Sequence, residues 1–136
     1  MKLREVQKLL EARVLGGEEF LDRQIESCCG SDMMSDVLAF TKSNTLLCTG
    51  LTNMQVVRTA DMTELSGLVF VRGKVPDQDI VEAAVEDMLP VLLTEYTLFE
   101  ACGIYMLPVL LTEYTLFEAC GILYAAGIRG CSRRGK

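Results

Sequence analysis

The 136-residue chain has no histidine, no tryptophan and only three prolines. Without histidine, neither a Ser-His-Asp nor a Cys-His nucleophilic arrangement exists within the chain. No G-x-x-x-x-G-K-S/T phosphate loop occurs, which argues against ATP-dependent phosphoryl transfer. No segment approaches the roughly 20 apolar residues that cross a bilayer. The first dozen residues are charged and amphipathic, without the apolar stretch of a secretory signal. Basic residues are scarce: 13 Lys and Arg stand against 19 Asp and Glu, a net charge of −6. That balance argues against a general nucleic-acid binder, which carries a basic footprint. The one basic run, residues 129–136, reads as a solubilising tail. A cytoplasmic protein without nucleic-acid or membrane partners is expected.

Cysteine is present, in six copies, but in no metal-binding pattern. Cys28 and Cys29 are adjacent rather than spaced C-x-x-C. A tetrahedral zinc site would need Cys48 or Cys131 to converge on them. The expectation is reduced thiols, no metal and no cofactor, with Cys28, Cys29 and Cys48 as small core side chains.

Half of the chain is hydrophobic, enough for one domain with a real core. Part of that content is repetition. Residues 88–105 return as 106–123 with 17 of 18 positions identical, the exception being Tyr105 against Leu123. Subtracting one 18-residue copy from 136 leaves 118. The organisation expected is a single domain over 1–128 containing both copies, then the tail. A solenoid needs about three or more stacked units, so the pair reads as a recent duplication or artefact rather than an evolved array.

Periodicity predicts a helix over 2–12, with Leu3, Val6, Leu9 and Leu10 as its apolar stripe. Residues 14–20 read as a short extended stretch broken at Gly16-Gly17, and 21–25 as a strand edge. A turn at Gly30-Ser31-Asp32 precedes a helix over 33–40, capped by Ser31 or Asp32, with Met34, Val37 and Leu38 on one face. Short apolar runs at 44–48, 68–71 and 90–93 read as strands. Helices follow each: one opened by Thr52 and Gln55 and ended by Gly67, one over 77–88 with Ile80, Val81, Ala84 and Val85 inward, and one over 95–104. The second copy adds a strand at 107–111 and a helix at 113–126. Continuously apolar strands alternating with helices predict an α/β fold: a three-layer α/β/α sandwich around a small, mainly parallel sheet.

In such sheets ligands gather beyond the carboxyl ends of the strands. Those ends carry Thr49, Gly50, Thr52 and Asn53; then Arg72, Gly73 and Lys74; then Thr94. Gly50 permits close backbone approach, the helix start near Thr52 and Asn53 offers free amides, and Arg72 and Lys74 add positive charge. The set suits a nucleotide or small anionic metabolite. Asp32 and Asp36, four apart, can share a helix face and serve as an acid–base or Mg²⁺ pair. The opposing reading is that these residues only cap, turn and face solvent.

A distributed pattern resembles the DRTGG domain family. It runs through Gly16-Gly17, Leu21-Asp22-Arg23, Asp32-Met33-Met34-Ser35-Asp36-Val37, Leu68-Val69-Phe70-Val71-Arg72-Gly73, Pro76-Asp77 and Pro90-Val91-Leu92-Leu93-Thr94. It ends in Phe99-Glu100-Ala101 or its copy Phe117-Glu118-Ala119. Asp22-Arg23 matches the motif that names the family, whereas Gln24-Ile25-Glu26 stands where Thr-Gly-Gly would follow. The resemblance implies a fold like the N-terminal domains of bacterial HPr kinase/phosphorylase and of a Mur ligase. It also implies the regulatory or ligand-sensing role suspected for such domains within phosphotransacetylases and beside CBS domains, and small free-standing bacterial or archaeal relatives. Three functions follow as expectations. The first is a noncatalytic regulatory domain sensing a nucleotide or small anion. The second is a structural or protein-interaction domain acting as a homodimer. The third is a small-molecule enzyme using Asp32, Asp36, Asn53, Arg72 and Lys74.

Overall fold

The computed structural model describes residues 1–105 and, beyond them, positions 118, 121, 124, 125 and 127. Apart from those positions, the expected second strand–helix unit lies outside the described residues, as does the tail.

The chain opens with helix α1 (Leu3–Leu9), strand β1 (Arg13–Gly16) and a 3-10 turn (Glu18–Phe20). It then alternates through β2 (Ser27–Gly30), α2 (Met34–Phe40), β3 (Thr45–Thr49) and α3 (Met54–Thr63). It continues through β4 (Gly67–Phe70), α4 (Gln78–Glu86), β5 (Val91–Leu93) and α5 (Leu98–Tyr105). The five strands form one sheet in the order β1-β5-β4-β3-β2. Strands β2 to β5 are mutually parallel, and β1 pairs antiparallel with β5 at one edge.

Alternate residues along the central strands face two separate cores. Leu46, Cys48, Val69 and Leu92 point to the side covered by α1 and α5, where they meet Leu3, Val6, Leu10, Ala101 and Cys102. Leu47, Leu68, Phe70, Val91 and Leu93 point to the side covered by α2, α3 and α4, against Val37, Val56, Val57, Ala60, Ile80 and Ala84. Both faces are therefore dry, which is why β3, β4 and β5 are continuously apolar rather than alternating. The expected three-layer α/β/α arrangement is present, with five strands.

Several local expectations are corrected. Residues 21–25 form turns and a single bridge, Lys2 to Gln24, rather than a strand edge. The strand lies later, at β2, where Ser-Cys-Cys-Gly carries no apolar run and pairs with β3. Leu9 and Leu38 are exposed, at 43% and 46%, because each helix presents a narrower stripe than its apolar content suggests. Ser31 and Asp32 do not cap α2, whose N-cap is Met33 and lacks a side-chain cap bond. The Ser31 hydroxyl accepts the Met33 amide hydrogen at 3.0 Å instead. Helix α3 is capped by Asn53, not Thr52: its side-chain oxygen accepts the Gln55 amide at 3.1 Å. Gly67 opens β4 rather than ending α3, which stops at Glu64 in a left-handed conformation (φ 54°).

Among the described residues no helix is long and apolar enough to cross a membrane.

Candidate functional site

Because β2 to β5 are parallel, their carboxyl ends share one edge of the sheet, and the four loops leaving them meet there. The loop after β3 is the most tightly built. One Asp32 carboxylate oxygen, arriving from the β2–α2 loop, accepts the Gly50 amide at 2.6 Å and the Thr49 hydroxyl at 3.0 Å. The Thr49 oxygen in turn accepts the Leu51 amide at 3.1 Å. Thr49 is fully buried, and its hydroxyl is spent on Asp32 in this arrangement.

The loop after β4 carries the two cations. Arg72 and Gly73 both adopt left-handed backbone, at φ 60° and 63°. This sharp turn is held by the Arg72 amide donating to the Tyr96 carbonyl (2.8 Å) and the Gly73 amide to the Thr94 carbonyl (2.9 Å). The exposed Arg72 side chain is thereby laid across Gly50. A β-carbon on Gly50 would stand 2.5 Å from Arg72 Nη2 and 3.4 Å from the Asp32 oxygen. The missing side chain at Gly50 leaves room for this approach. Lys74 reaches the same residue, its Nζ lying 3.5 Å from the Gly50 carbonyl. Between described residues the only side-chain ion pairs join Asp22 to Lys2 and Arg4, so neither Arg72 nor Lys74 is committed to a carboxylate.

The expected residues thus separate. Gly50, Arg72 and Lys74 converge, with half-buried Thr52 and exposed Asn53 following on the same loop. Asn53 is occupied as a helix cap. Thr94 is 1% exposed, and its hydroxyl donates to the Leu10 carbonyl at 2.7 Å while accepting the Tyr96 amide at 3.2 Å. It fastens the end of α1 to the end of β5. Thr94→Val is therefore expected to cost about 1–3 kcal/mol, the penalty of a buried carbonyl left unpaired. Urea denaturation measures this, and ligand affinity in the folded variant should not move.

Asp32 and Asp36 are not a helical pair, since Asp32 precedes α2 and bonds to the β3 loop. Asp32 is the functional-edge residue that sequence reasoning placed wrongly. Its signal was the strand β2 two residues before it, hidden by the short Ser-Cys-Cys-Gly composition. Cys28 and Cys48 are buried with their sulfurs 3.6 Å apart, and Cys29 is partly buried. Burial and neighbouring thiols push the Cys28 pKa well up, and burial pushes Cys29 to about 11. At neutral pH these groups are protonated core side chains rather than nucleophiles. Among the described residues no three His, Cys, Asp or Glu side chains are placed to hold a metal.

The model of the DRTGG domain matches residues 5–106, three quarters of the chain. The chain belongs to the DRTGG domain family. No curated protein matches it. Among solved structures, this DRTGG domain is similar to the CBS and DRTGG domains of the regulatory region of Clostridium perfringens pyrophosphatase, a complex with the activator diadenosine tetraphosphate. The TM-score is 0.59 at 19% identity, over 74% of this chain and 44% of that one. The likeness is one of fold, and the DRTGG domain spans less than half of that regulatory region. The family's naming motif survives as Asp22-Arg23, far from the loops just described. Asp22 pairs with Arg4 (3.4 Å) and Lys2 (3.9 Å), while Arg23 stacks on Phe20 and donates to the Ser66 carbonyl (3.4 Å) just before β4. Here the motif clasps the N-terminal segment to the opposite end of the sheet.

Proposed function

We propose that this DRTGG domain is a noncatalytic regulatory module that binds a nucleotide or other small anion at the carboxyl ends of β3 and β4. One observation carries the reading. Two exposed cations, Arg72 and Lys74, both lean on Gly50, and neither forms an ion pair with a carboxylate among the described residues. A phosphate or carboxylate would complete their charge beside the start of α3. The pyrophosphatase regulatory region of similar fold, named with a dinucleotide activator, supports the same class of ligand. Asp32 at Gly50 and Glu95, whose carboxylate lies over Gly73, flank the cations, so the crevice is mixed in charge and suits a ligand with both anionic and hydrogen-bonding parts.

Thermal unfolding with ATP, diadenosine tetraphosphate, pyrophosphate and phosphate tests this directly. A ligand present at about 100 times its Kd adds about 2.7 kcal/mol to stability. The paired substitution Arg72→Gln and Lys74→Gln should abolish that gain. No shift across the panel, or a shift that survives the paired substitution, sinks the reading.

A second proposal is a homodimer, favoured by exposed Met33 at the start of α2 and Leu38 and Phe40 within it, beside β2, an edge strand of the described sheet. Sedimentation of the same samples reads it: a monomer at every concentration removes it. An enzyme using Asp32, Asp36, Asn53, Arg72 and Lys74 has less support, since Asn53 is a cap and Asp32 is bound into a loop.

A further inference from the structure

We propose that Asp32 is a resident anion occupying the donors that a bound phosphate takes, so that ligand entry displaces it. The proposal rests on the reading of this crevice as an anion site and specifies how the site is kept closed. A single Asp32 oxygen accepts both the Gly50 amide and the Thr49 hydroxyl, at 2.6 and 3.0 Å. A backbone amide paired with a threonine hydroxyl is the donor set that phosphate oxygens commonly take. Arg72 Nη2 and the same Asp32 oxygen stand near one face of that glycine, 2.5 and 3.4 Å from where a β-carbon would lie, and Lys74 reaches its carbonyl. Arg72 and Lys74 stand beside these donors without pairing with Asp32, and the chain fills the two donors with its own carboxylate.

The geometry also lets that carboxylate leave. Asp32 is exposed, and it stands between β2 and α2 rather than within either. The loop keeps a separate anchor beside it, the Ser31 amide donating to the Cys48 carbonyl at 3.1 Å. Swinging the Asp32 side chain into water breaks two hydrogen bonds. The donors it releases are charge-neutral and are met by two cations, so a phosphate gains more there than a single carboxylate. While Asp32 stays nearby, its charge opposes the incoming anion, and binding is weaker than the donors alone would give.

Calorimetric titration of the full chain with inorganic pyrophosphate tests the displacement. Asp32→Asn keeps an oxygen that can accept the Gly50 amide but removes the charge. It should bind pyrophosphate about tenfold more tightly than the wild type, the effect of relieving one like-charge contact. Titration of the wild type, followed by amide NMR, should move the Gly50 resonance as its acceptor changes, a readout that needs no variant to fold. If the wild type binds and loses binding in the Arg72→Gln, Lys74→Gln variant, yet Asp32→Asn binds equally or more weakly, the displacement is wrong while the crevice stands. A Gly50 resonance that stays fixed at saturation likewise overturns the displacement and leaves the crevice. If neither the wild type nor Asp32→Asn binds pyrophosphate, the displacement and its anion site both fall.

Discussion

Leu92→Asp is expected to lower the unfolding free energy by about 4 kcal/mol or more, enough to leave a typical domain mostly unfolded. Leu92 is fully buried on β5, with Val69 of β4 on one side and Val14 of β1 on the other. Its side chain enters the core formed with Leu3, Val6 and Leu10. A carboxylate there has no donor to pair with and must either lose its hydration or force the sheet apart. The same position bears on the duplication, because Leu110 repeats Leu92 within an identical stretch. The slot beside β4 is filled by Val91–Leu93, so the single substitution at Leu92 should be severe. Chemical denaturation followed by circular dichroism measures it. Near wild-type stability in Leu92→Asp, lost again when Leu110→Asp is added, would show that residues 109–111 can take the strand's place.

The second large effect is expected at Gly17. This residue has φ 77°, and a β-carbon there would stand 2.7 Å from the Pro90 α-carbon. Left-handed backbone costs an L-residue about 1–2 kcal/mol, and overpacking adds about 1–3 kcal/mol. Gly17→Ala should therefore destabilise by about 3 kcal/mol, because the clash is with backbone that cannot rotate away. Gly50→Ala is the informative contrast. Its new methyl meets the far end of the Arg72 side chain, which can swing aside, so stability should change by less than about 1 kcal/mol. A midpoint shift in denaturant that is as large for Gly50→Ala as for Gly17→Ala would contradict this difference in origin.

The contrast explains which parts of the molecule could be read without coordinates. Runs such as Leu46-Leu47-Cys48 and Leu68-Val69-Phe70 announce strands buried on both faces, because no polar alternation is tolerated there. The helices between them follow from stripes such as Ile80, Val81 and Ala84. Strand β2 escaped because Ser-Cys-Cys-Gly has no hydrophobic signature, and among the described strands it pairs with β3 alone. The antiparallel seat of β1 escaped too, because it depends on which strand β1 meets, namely β5, and not on its own composition.

At the candidate site the residue types were legible and their duties were not. Gly50, Arg72 and Lys74 sit at strand ends that apolar runs locate, so their convergence was foreseeable from a parallel sheet. Thr94 looked equivalent, yet its hydroxyl is claimed by Leu10, 84 residues away in sequence. Asp32 looked like a helix cap, yet it closes on Gly50 across two strand ends. By itself the sequence determined the acidic balance, the lack of histidine chemistry, the internal repeat, and an α/β order of strands and helices. Only the tertiary structure decided the strand order and which polar groups are already spent. Periodicity reports how much of a segment is buried, whereas the partner of a buried hydroxyl or carboxylate depends on distances between segments remote in the chain.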